Sequence, residues 1–340
     1  MLKVRVEDAV GMVLCHDITQ IIPGEFKGRA FKKGHIVTVE DIPKMLRIGK
    51  ENLYVWEKKE GYLHENEAAL RIAKAIAGPG ISLTEPREGK INLVAELQGL
   101  LKINVNGLDE INNENEVVVS TLHRNQIVEK GTVVTGTRVI PLVIDHEIIE
   151  RVEVRAERYK PIVEVKPLSG MRVGVVVTGS EVYKGRIEDK FSPVVIEKVT
   201  KLGCSVIQKV NVPDSIEMIS DNIKIMVREG VELILVTGGM SVDPDDVTPS
   251  GVVAAGGTIV SYGAPILPGS MFMVAYIGDT PVLGLPGCVM YSRNTVFDLI
   301  LPRVLAGEKI TRKEIAGLGH GGLCANCLSC RFPSCSFGKA

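Results

Sequence analysis

Aromatic residues are scarce in this chain, because Phe, Trp and Tyr together make up only 4% of its 340 residues. An excess of basic charge is missing as well, since 40 Lys and Arg residues face 41 Asp and Glu residues. Proteins that bind nucleic acid or an anionic membrane usually carry a basic face, and binders of single strands add aromatic stacking platforms. The composition therefore predicts neither a nucleic-acid partner nor a membrane partner.

Long apolar runs are also missing. No stretch approaches the roughly 18 consecutive apolar residues that a membrane-spanning helix needs. The first eight residues alternate charged and apolar side chains, unlike the apolar stretch of a secretory signal peptide. We therefore expect a cytoplasmic protein.

Four segments of the chain differ in pattern. Residues 1–60 contain short strand-like pieces and one helix, which predicts a small β/α domain. Residues 61–166 begin with an amphipathic helix and continue with β-branched runs, which predicts an α+β domain. In residues 167–307 predicted strands alternate with predicted helices, as in an α/β domain. Residues 308–340 are a tail rich in Gly and Cys with few apolar residues. Such a tail is expected to need a covalent or metal staple.

Buried strands and helices alternate in the third segment. The continuous apolar runs at 173–177 and 233–236 are typical of strands that are buried on both faces. Helical periodicity follows Ser215, and an apolar helix is expected over residues 290–305. The pattern predicts an open, largely parallel sheet flanked by helices and preceded by the smaller domains.

Two loops that follow the buried strands have the residues of a phosphate site. They are residues 178–181 (Thr-Gly-Ser-Glu) and 237–241 (Thr-Gly-Gly-Met-Ser), and the second leads into Asp243, Asp245 and Asp246. Ligands of open parallel sheets bind at the carboxyl ends of the strands, where Gly lets backbone N–H groups approach a phosphate. An acidic cluster beside a phosphate needs a bridging cation, which predicts Mg²⁺. Each loop alone is equally typical of a tight strand-to-helix turn.

These loops resemble those of a known family. Residues 177–181 and 237–249 are similar to the two signature loops of the molybdopterin-binding fold, which molybdopterin adenylyltransferases and molybdopterin molybdotransferases share. Residues 267–270 (Leu-Pro-Gly-Ser) and 284–287 (Gly-Leu-Pro-Gly) resemble the two Pro-Gly loops of the molybdotransferases, in the same order. The chain thus looks like a molybdotransferase-like protein with an added Cys-rich tail.

The resemblance implies ligands, partners and site residues. It implies molybdopterin and molybdate as ligands, Mg²⁺ as a cofactor, a homodimer, and contacts with other cofactor-assembly proteins or a molybdoenzyme. Asp246 corresponds to an essential acidic residue near Mg²⁺ or the nucleotide, and Glu181 and Asp243 join it as catalytic candidates. The implied cofactor-binding residues are Thr178, Gly179, Ser180, Glu181, Thr237, Gly238, Gly239, Ser241, Pro268, Gly269, Pro286 and Gly287.

The sequence departs from the family pattern at three places. Ser270 and Met271 follow Pro268-Gly269 where the family has Lys-Pro, so a cation suited to an oxyanion is missing. Cys288 follows Gly287 where the family has Asn. The Asp-Gly-Tyr-Ala signature associated with molybdate is replaced by residues 23–30. A thiol at residue 288 suggests sulfur chemistry, with a small buried apolar side chain as the simpler interpretation.

The cysteines of the tail follow the spacing C-x2-C-x2-C-x4-C, at Cys324, Cys327, Cys330 and Cys335. Four thiolates in so short a run are enough to hold Zn²⁺ or an iron–sulfur cluster. Structural zinc usually pairs two x2 knuckles across a longer loop, so this compact run favours the cluster. Free or redox-active thiols are the alternative.

Three functions are compatible with these features. The first is a molybdotransferase that binds molybdopterin or its adenylated form and assists molybdate insertion. The second is a non-catalytic carrier or sensor of molybdopterin, which the missing Lys and the missing Asp-Gly-Tyr-Ala signature favour. The third is a nucleotide-hydrolysing enzyme, because residues 245–248 after the Gly pair also resemble the competence-damage-inducible family.

Overall fold

The computed structural model describes residues 2–22, 24–55 and 61–339. They form two compact units. The first comprises Met1–Val94, Ile103–Leu122 and Val133–Glu164, and the second comprises Ala95–Lys102, His123–Thr132 and Val165–Ala340. The α/β domain expected from residue 167 and the tail expected from residue 308 thus lie in one unit.

The elements up to residue 159 combine short strands with four helices. In chain order they are β1 (Leu2–Arg5), β2 (Ile18–Ile22), β3 (Phe26–Phe31), α1 (Ile42–Arg47), β4 (Asn52–Val55), β5 (Tyr62–His64), α2 (Glu65–Ile76), β6 (Ile81–Leu83), β7 (Lys90–Ala95), β8 (Gly99–Ile103), α3 (Val105–Asn112), β9 (Val117–Thr121), β10 (Ile127–Val128), β11 (Val133–Val139), β12 (Val143–Asp145) and α4 (His146–Tyr159).

The first unit is α+β. Its main sheet has the strand order β6-β7-β11-β9, and β1–β4, β2–β3 and β5–β12 form antiparallel pairs. A small core around Leu14, Phe31 and Met45 fills the N-terminal part. The stretch 23–30, which replaces the Asp-Gly-Tyr-Ala signature, falls at the β2–β3 hairpin, although Pro23 lies outside the described residues.

The second unit continues with a rhythm of strands and helices. Its further elements are β13 (Val163–Pro167), β14 (Arg172–Thr178), α5 (Ser180–Tyr183), α6 (Phe191–Lys201), β15 (Ser205–Val212), α7 (Ile216–Arg228), β16 (Leu233–Thr237), α8 (Thr248–Ala254), β17 (Thr258–Tyr262), β18 (Met273–Ile277), β19 (Thr280–Leu285), α9 (Val296–Leu305) and α10 (Arg312–Gly317).

The main sheet of this unit has the order β15-β14-β16-β19-β18-β17. Strands β15, β14, β16 and β19 are mutually parallel, and only the β18 pairings are antiparallel. A smaller sheet has the order β10-β8-β13. The predicted open, largely parallel sheet is therefore confirmed, and its strand order reverses between β14 and β16, where such sheets bind ligands.

Helices cover both faces of the six-stranded sheet. Val173, Val175 and Val177 of β14 belong to the core with α6 and α9, whereas Val176 belongs to the core with α7 and α8. Because successive strand residues point to opposite faces, an uninterrupted apolar run is what a sheet covered on both faces requires. None of the described helices combines the length and apolar character needed to cross a membrane.

Helix α9 begins later than the expected residue 290. Thr295 accepts a hydrogen bond from the N–H of Phe297 and donates its own N–H to Asp298, and this reciprocal capping fixes the helix start at Val296. Residues Gly287–Met290 instead form a short 3-10 helix.

The start and the end of the C-terminal tail are anchored by apolar packing. Ile315, Leu318 and Phe337 are buried in the core beneath α9. Arg303, itself only 5% exposed, pairs with Glu308 at 2.7 Å and also with Glu314, which fixes the start of the tail. Apolar packing and ion pairs thus hold the two ends of the tail.

The ends of β14 and β16 meet closely. A Cβ atom at residue 238 would lie within 3.0 Å of the carbonyl oxygen of Thr178, and Gly238 also has φ of +87°. Thr178 donates its hydroxyl to the carbonyl of Thr237 at 3.1 Å, and Thr248 donates to the carbonyl of Gly238 at 2.9 Å. Only Gly fits at residue 238.

Replacing Phe337 by Ala tests the packing of the tail. The variant should lower the free energy of unfolding of the second unit by about 3 kcal/mol or more, because a buried aromatic side chain is lost. Calorimetric unfolding of the full chain measures it. The control Leu328→Ala removes a fully exposed side chain of the same tail and should change nothing. Equal effects of the two variants would show that the tail is not packed.

Replacing Gly238 by Ala tests the close approach of the two loops. The matched control is Gly278→Ala, which also has positive φ but has no atom within 4 Å of the added methyl group. The control should cost about 1–2 kcal/mol for its left-handed backbone, and Gly238→Ala should cost a further ~1–3 kcal/mol for overpacking. The same unfolding experiment checks both, and equal costs would disprove the close approach.

Candidate functional site

Three loops of the second unit enclose a cleft of about 650 Å³ at the carboxyl ends of β16 and β19. The loop after β16, the loop before β18 and the loop after β19 each contribute several residues. They are Gly238, Gly239, Met240 and Ser241, then Pro268, Gly269 and Ser270, and then Pro286, Gly287 and Cys288. The structure thus brings the Gly pair and both Pro-Gly loops together, as the resemblance implied.

The loop after β16 is held in shape by Asp246 and Tyr262. The carboxylate of Asp246 accepts the backbone N–H of Ser241 at 2.9 Å and that of Asp243 at 3.4 Å. The hydroxyl of Tyr262 donates to the carbonyl of Met240 at 2.9 Å. Burial raises the pKa of Tyr262, and the negative charge of Asp246 raises it further. Tyr262 therefore stays a neutral donor at neutral pH.

Each of the three loops of the cleft contains backbone N–H groups without a partner in the part of the fold that the structure describes. Among the described residues, the N–H groups of Gly239, Met240, Gly269 and Gly287 have no hydrogen-bond acceptor. Ser241 and Ser270 add hydroxyl groups at the same surface. A concave set of unpaired backbone N–H groups attracts anions such as phosphate.

The charged side chains at the cleft are all acidic. Asp243 and Asp246 line it, and the lining residues include no Lys or Arg in the part of the chain that the structure describes. The consequence of Ser270 in place of the family's Lys is therefore visible in the structure. An anionic ligand at this surface needs a cation to offset the two carboxylates.

The first predicted loop does not contribute to this cleft. The backbone N–H of Gly179 donates to the carbonyl of Val212 at 3.2 Å, and that of Ser180 donates to the carboxylate of Asp214 at 2.8 Å. These donors are therefore already used within the fold. Glu181 is exposed at the start of α5, and it is not among the residues that line the cleft.

The hydroxyl groups of Thr178 and Thr237 also lie elsewhere than expected. Both residues are buried, and neither lines the cleft. Thr178 bonds to the backbone of the neighbouring strand, whereas the Thr237 hydroxyl has no hydrogen-bond partner among the described residues. In this structure both side chains belong to the junction between the strands rather than to the ligand surface.

The predicted metal ligands do not converge on a single ion. Within residues 2–22, 24–55 and 61–339, no three His, Cys, Asp or Glu side chains are grouped so that they could hold one metal ion. Asp245 is exposed and absent from the cleft, so the predicted acidic cluster is reduced there to Asp243 and Asp246. The tail cysteines are likewise not gathered around one point.

Cys288 lies at the cleft in a partly buried position. Burial raises the pKa of its thiol, and the charge of Asp298 raises it further. Because the thiolate is the reactive form, a raised pKa opposes the sulfur chemistry suggested by its position. The simpler interpretation of a small, partly buried side chain fits this environment better.

Two residues of the site were not among the sequence candidates. Tyr262 comes from β17, and nothing in its sequence neighbourhood indicates contact with residues 240 and 241. Thr248 was visible at a helix start before Pro249, and its hydroxyl hydrogen bond to Gly238 explains why that position carries a hydroxyl group.

Two family models match the chain. Residues 174–306 match a family described as "Probable molybdopterin binding domain", and residues 3–57 match a domain of unknown function. The first match spans β14 to α9 and includes all three loops of the cleft.

Curated relatives match parts of the chain. A molybdopterin molybdenumtransferase from Synechococcus elongatus is 28% identical over 162 residues, which are 45% of this chain and 40% of the relative. A CinA-like protein from Mycobacterium sp. (strain MCS) is 34% identical over 77 residues, which are 23% of this chain and 18% of the relative. The chain thus covers less than half the length of each.

Solved structures also align with part of the chain. The molybdopterin biosynthesis enzyme MoaB from Thermus thermophilus aligns with a TM-score of 0.34 at 23% identity, over 41% of this chain and 98% of that one. CinA from Thermoplasma acidophilum aligns with a TM-score of 0.31 at 17% identity, over 35% of this chain and 89% of that one. Scores this low add nothing to the sheet described above. Residues 174–306 thus match the molybdopterin-binding domain family, and the cleft lies within that match.

Proposed function

We propose that this chain binds molybdopterin, or its adenylated form, in the cleft and acts in molybdenum cofactor biosynthesis. One observation carries the proposal: backbone N–H groups from three loops are unpaired around a cleft that lies within a domain of this family. A phosphorylated pterin supplies the anion that such donors bind. Gly238, Gly239 and Gly269 let these loops pack closely, because an added Cβ there would meet Thr178, Thr248 or Val296.

We propose that Mg²⁺ accompanies the ligand. Mg²⁺ in proteins is usually held by one or two carboxylates together with substrate phosphates and waters. Asp243 and Asp246 supply two carboxylates at the cleft, where no cationic side chain is present among the described residues. Mg²⁺ would supply the positive charge that the phosphate needs, and Asp246 would keep its role in shaping the loop.

We further propose that the chain assists molybdate insertion, as a molybdotransferase does. The match to the molybdenumtransferase extends over 162 residues and supports this assignment. Asp243 and Asp246 would then act with Mg²⁺ at the phosphate, and the backbone donors would orient the ligand. Glu181 as a catalytic residue, the homodimer and a partner protein of cofactor assembly or a molybdoenzyme stay predictions from the resemblance.

Two other functions have specific support. The 77-residue similarity to CinA-like proteins favours a nucleotide-hydrolysing enzyme. The absence of a cation among the lining residues that the structure describes favours a carrier that binds molybdopterin without turning it over. Measurements on one preparation of the protein distinguish these two functions from molybdate insertion.

If the chain binds molybdopterin, the purified protein should contain pterin. The full chain, produced in cells that make molybdopterin and isolated anaerobically, should yield pterin fluorescence after oxidative extraction. Supplying adenylated molybdopterin, molybdate and Mg²⁺ should then release AMP and load molybdenum, both of which are measured directly.

Each outcome of that experiment assigns one function. Bound pterin without AMP release would contradict insertion and leave the carrier. A preparation without pterin that hydrolyses nucleotides would contradict molybdopterin binding altogether and support the CinA-like activity.

The Mg²⁺ proposal predicts that Asp243→Asn and Asp246→Asn each weaken Mg²⁺-dependent pterin binding about tenfold or more, which equals about 1.4 kcal/mol. Asn at residue 246 can still accept the N–H of Ser241, so the loop should keep its shape. Asp245→Asn is the matched control, because Asp245 is exposed and absent from the cleft. Pterin affinity that does not change on chelation of Mg²⁺, or an equal loss in the control, would disprove this role.

A further inference from the structure

The cysteine segment of the tail is joined to one loop of the cleft. Leu267 donates its backbone N–H to the carbonyl of Gly322 at 2.8 Å, and Cys324 donates to the carbonyl of Leu267 at 2.8 Å. These bonds form a parallel bridge beside Pro268. At its other end, Phe337 is buried in the core. The segment that carries the four thiols is therefore fixed at both ends.

All four thiols of the tail line one cavity of about 260 Å³. Cys324 and Cys335 are half-buried against the core, and Cys327 and Cys330 are exposed at its rim. All four are free thiols. The fold thus brings the four cysteines to one cavity, in addition to their close spacing in the sequence.

The number and spacing of the thiols favour a cluster over a single zinc ion. Structural zinc usually pairs two x2 knuckles across a longer loop. An iron–sulfur cluster takes four thiolates, often from a compact run of closely spaced cysteines. Here the four thiols come from one compact run and line a common cavity.

The other groups at the cavity suit an anionic centre. Arg293 and Arg331 line it, and its lining includes no Asp or Glu among the described residues. The side-chain amide of Asn294 donates to the sulfur of Cys330 at 3.0 Å. Cations and N–H donors at the sulfur atoms stabilise thiolates and set the potential of iron–sulfur clusters.

We infer that Cys324, Cys327, Cys330 and Cys335 hold an iron–sulfur cluster in this cavity. Pro268 and Tyr291 line both this cavity and the molybdopterin cleft, so the cluster lies directly beside the ligand surface. This inference does not rest on the proposed function, because the four thiols, the two Arg residues and the cavity are independent of the ligand in the cleft.

Anaerobic reconstitution of the full chain with ferric iron, a thiol reductant and sulfide tests the inference. The native chain should take up iron and acid-labile sulfide in equal amounts and show sulfur-to-iron charge-transfer absorption. Cys327→Ser and Cys330→Ser should lose most of this uptake. Both side chains are exposed, so their thermal unfolding should match that of the native chain. Cys204→Ala, at a buried cysteine remote in sequence from the tail, is the control and should bind the cluster normally.

Three results would overturn the inference. They are binding of zinc without sulfide uptake, a tail that takes up no metal and titrates as four free thiols, and iron uptake that survives both tail variants. Pterin content, measured in the same preparations, separates this test from that of the proposed function. Loss of pterin with an intact cluster would contradict only the proposed molybdopterin site in the cleft.

Discussion

The backbone at Gly238 lies directly against the backbone at Thr178, and the cleft depends on this contact. It allows the loop after β16 to turn sharply at the point where the strand order reverses. The Thr178 hydroxyl then joins the ends of β14 and β16, and the Thr248 hydroxyl joins the start of α8 to Gly238. With the turn fixed, Asp246 and Tyr262 hold the following residues. The unpaired N–H groups of Gly239 and Met240 follow from that geometry.

Charge decides what the cleft accepts. Its donors are backbone N–H groups and hydroxyl groups, and its charged side chains are Asp243 and Asp246. A neutral ligand would leave these carboxylates unused, whereas a phosphate with a divalent cation satisfies donors and acids together. If the cleft binds a phosphate as proposed, the replacement of the family's Lys by Ser270 shifts the requirement for positive charge from the protein to a bound ion.

Sequence reasoning predicted the frame of the α/β unit well, because strands buried on both faces leave continuous apolar runs that few other structures explain. The three loops of the cleft were found through their resemblance to a family. The places of Thr178 and Thr237 were not found, since a hydroxyl group at a strand end can bond to backbone or to ligand with the same spacing. Tyr262 was missed because it approaches residue 240 only through the folded sheet.

The packing of the tail also could not be predicted from the sequence alone. Its composition predicted a segment without a core of its own. Leu318 and Phe337 nevertheless hold its ends in place, because they pack into the core of the second unit. How many apolar residues a segment needs depends on what it packs against, and that information is not local in the sequence.

Backbone hydrogen exchange, compared between pterin-loaded and pterin-free full chain, tests whether this cleft is the molybdopterin site. Loading should slow exchange at Gly239, Met240, Gly269 and Gly287, and it should leave residues 178–181 unchanged, because the donors at Gly179 and Ser180 are already bonded within the fold. Protection confined to residues 178–181, or none in the three loops, would contradict a molybdopterin site in this cleft.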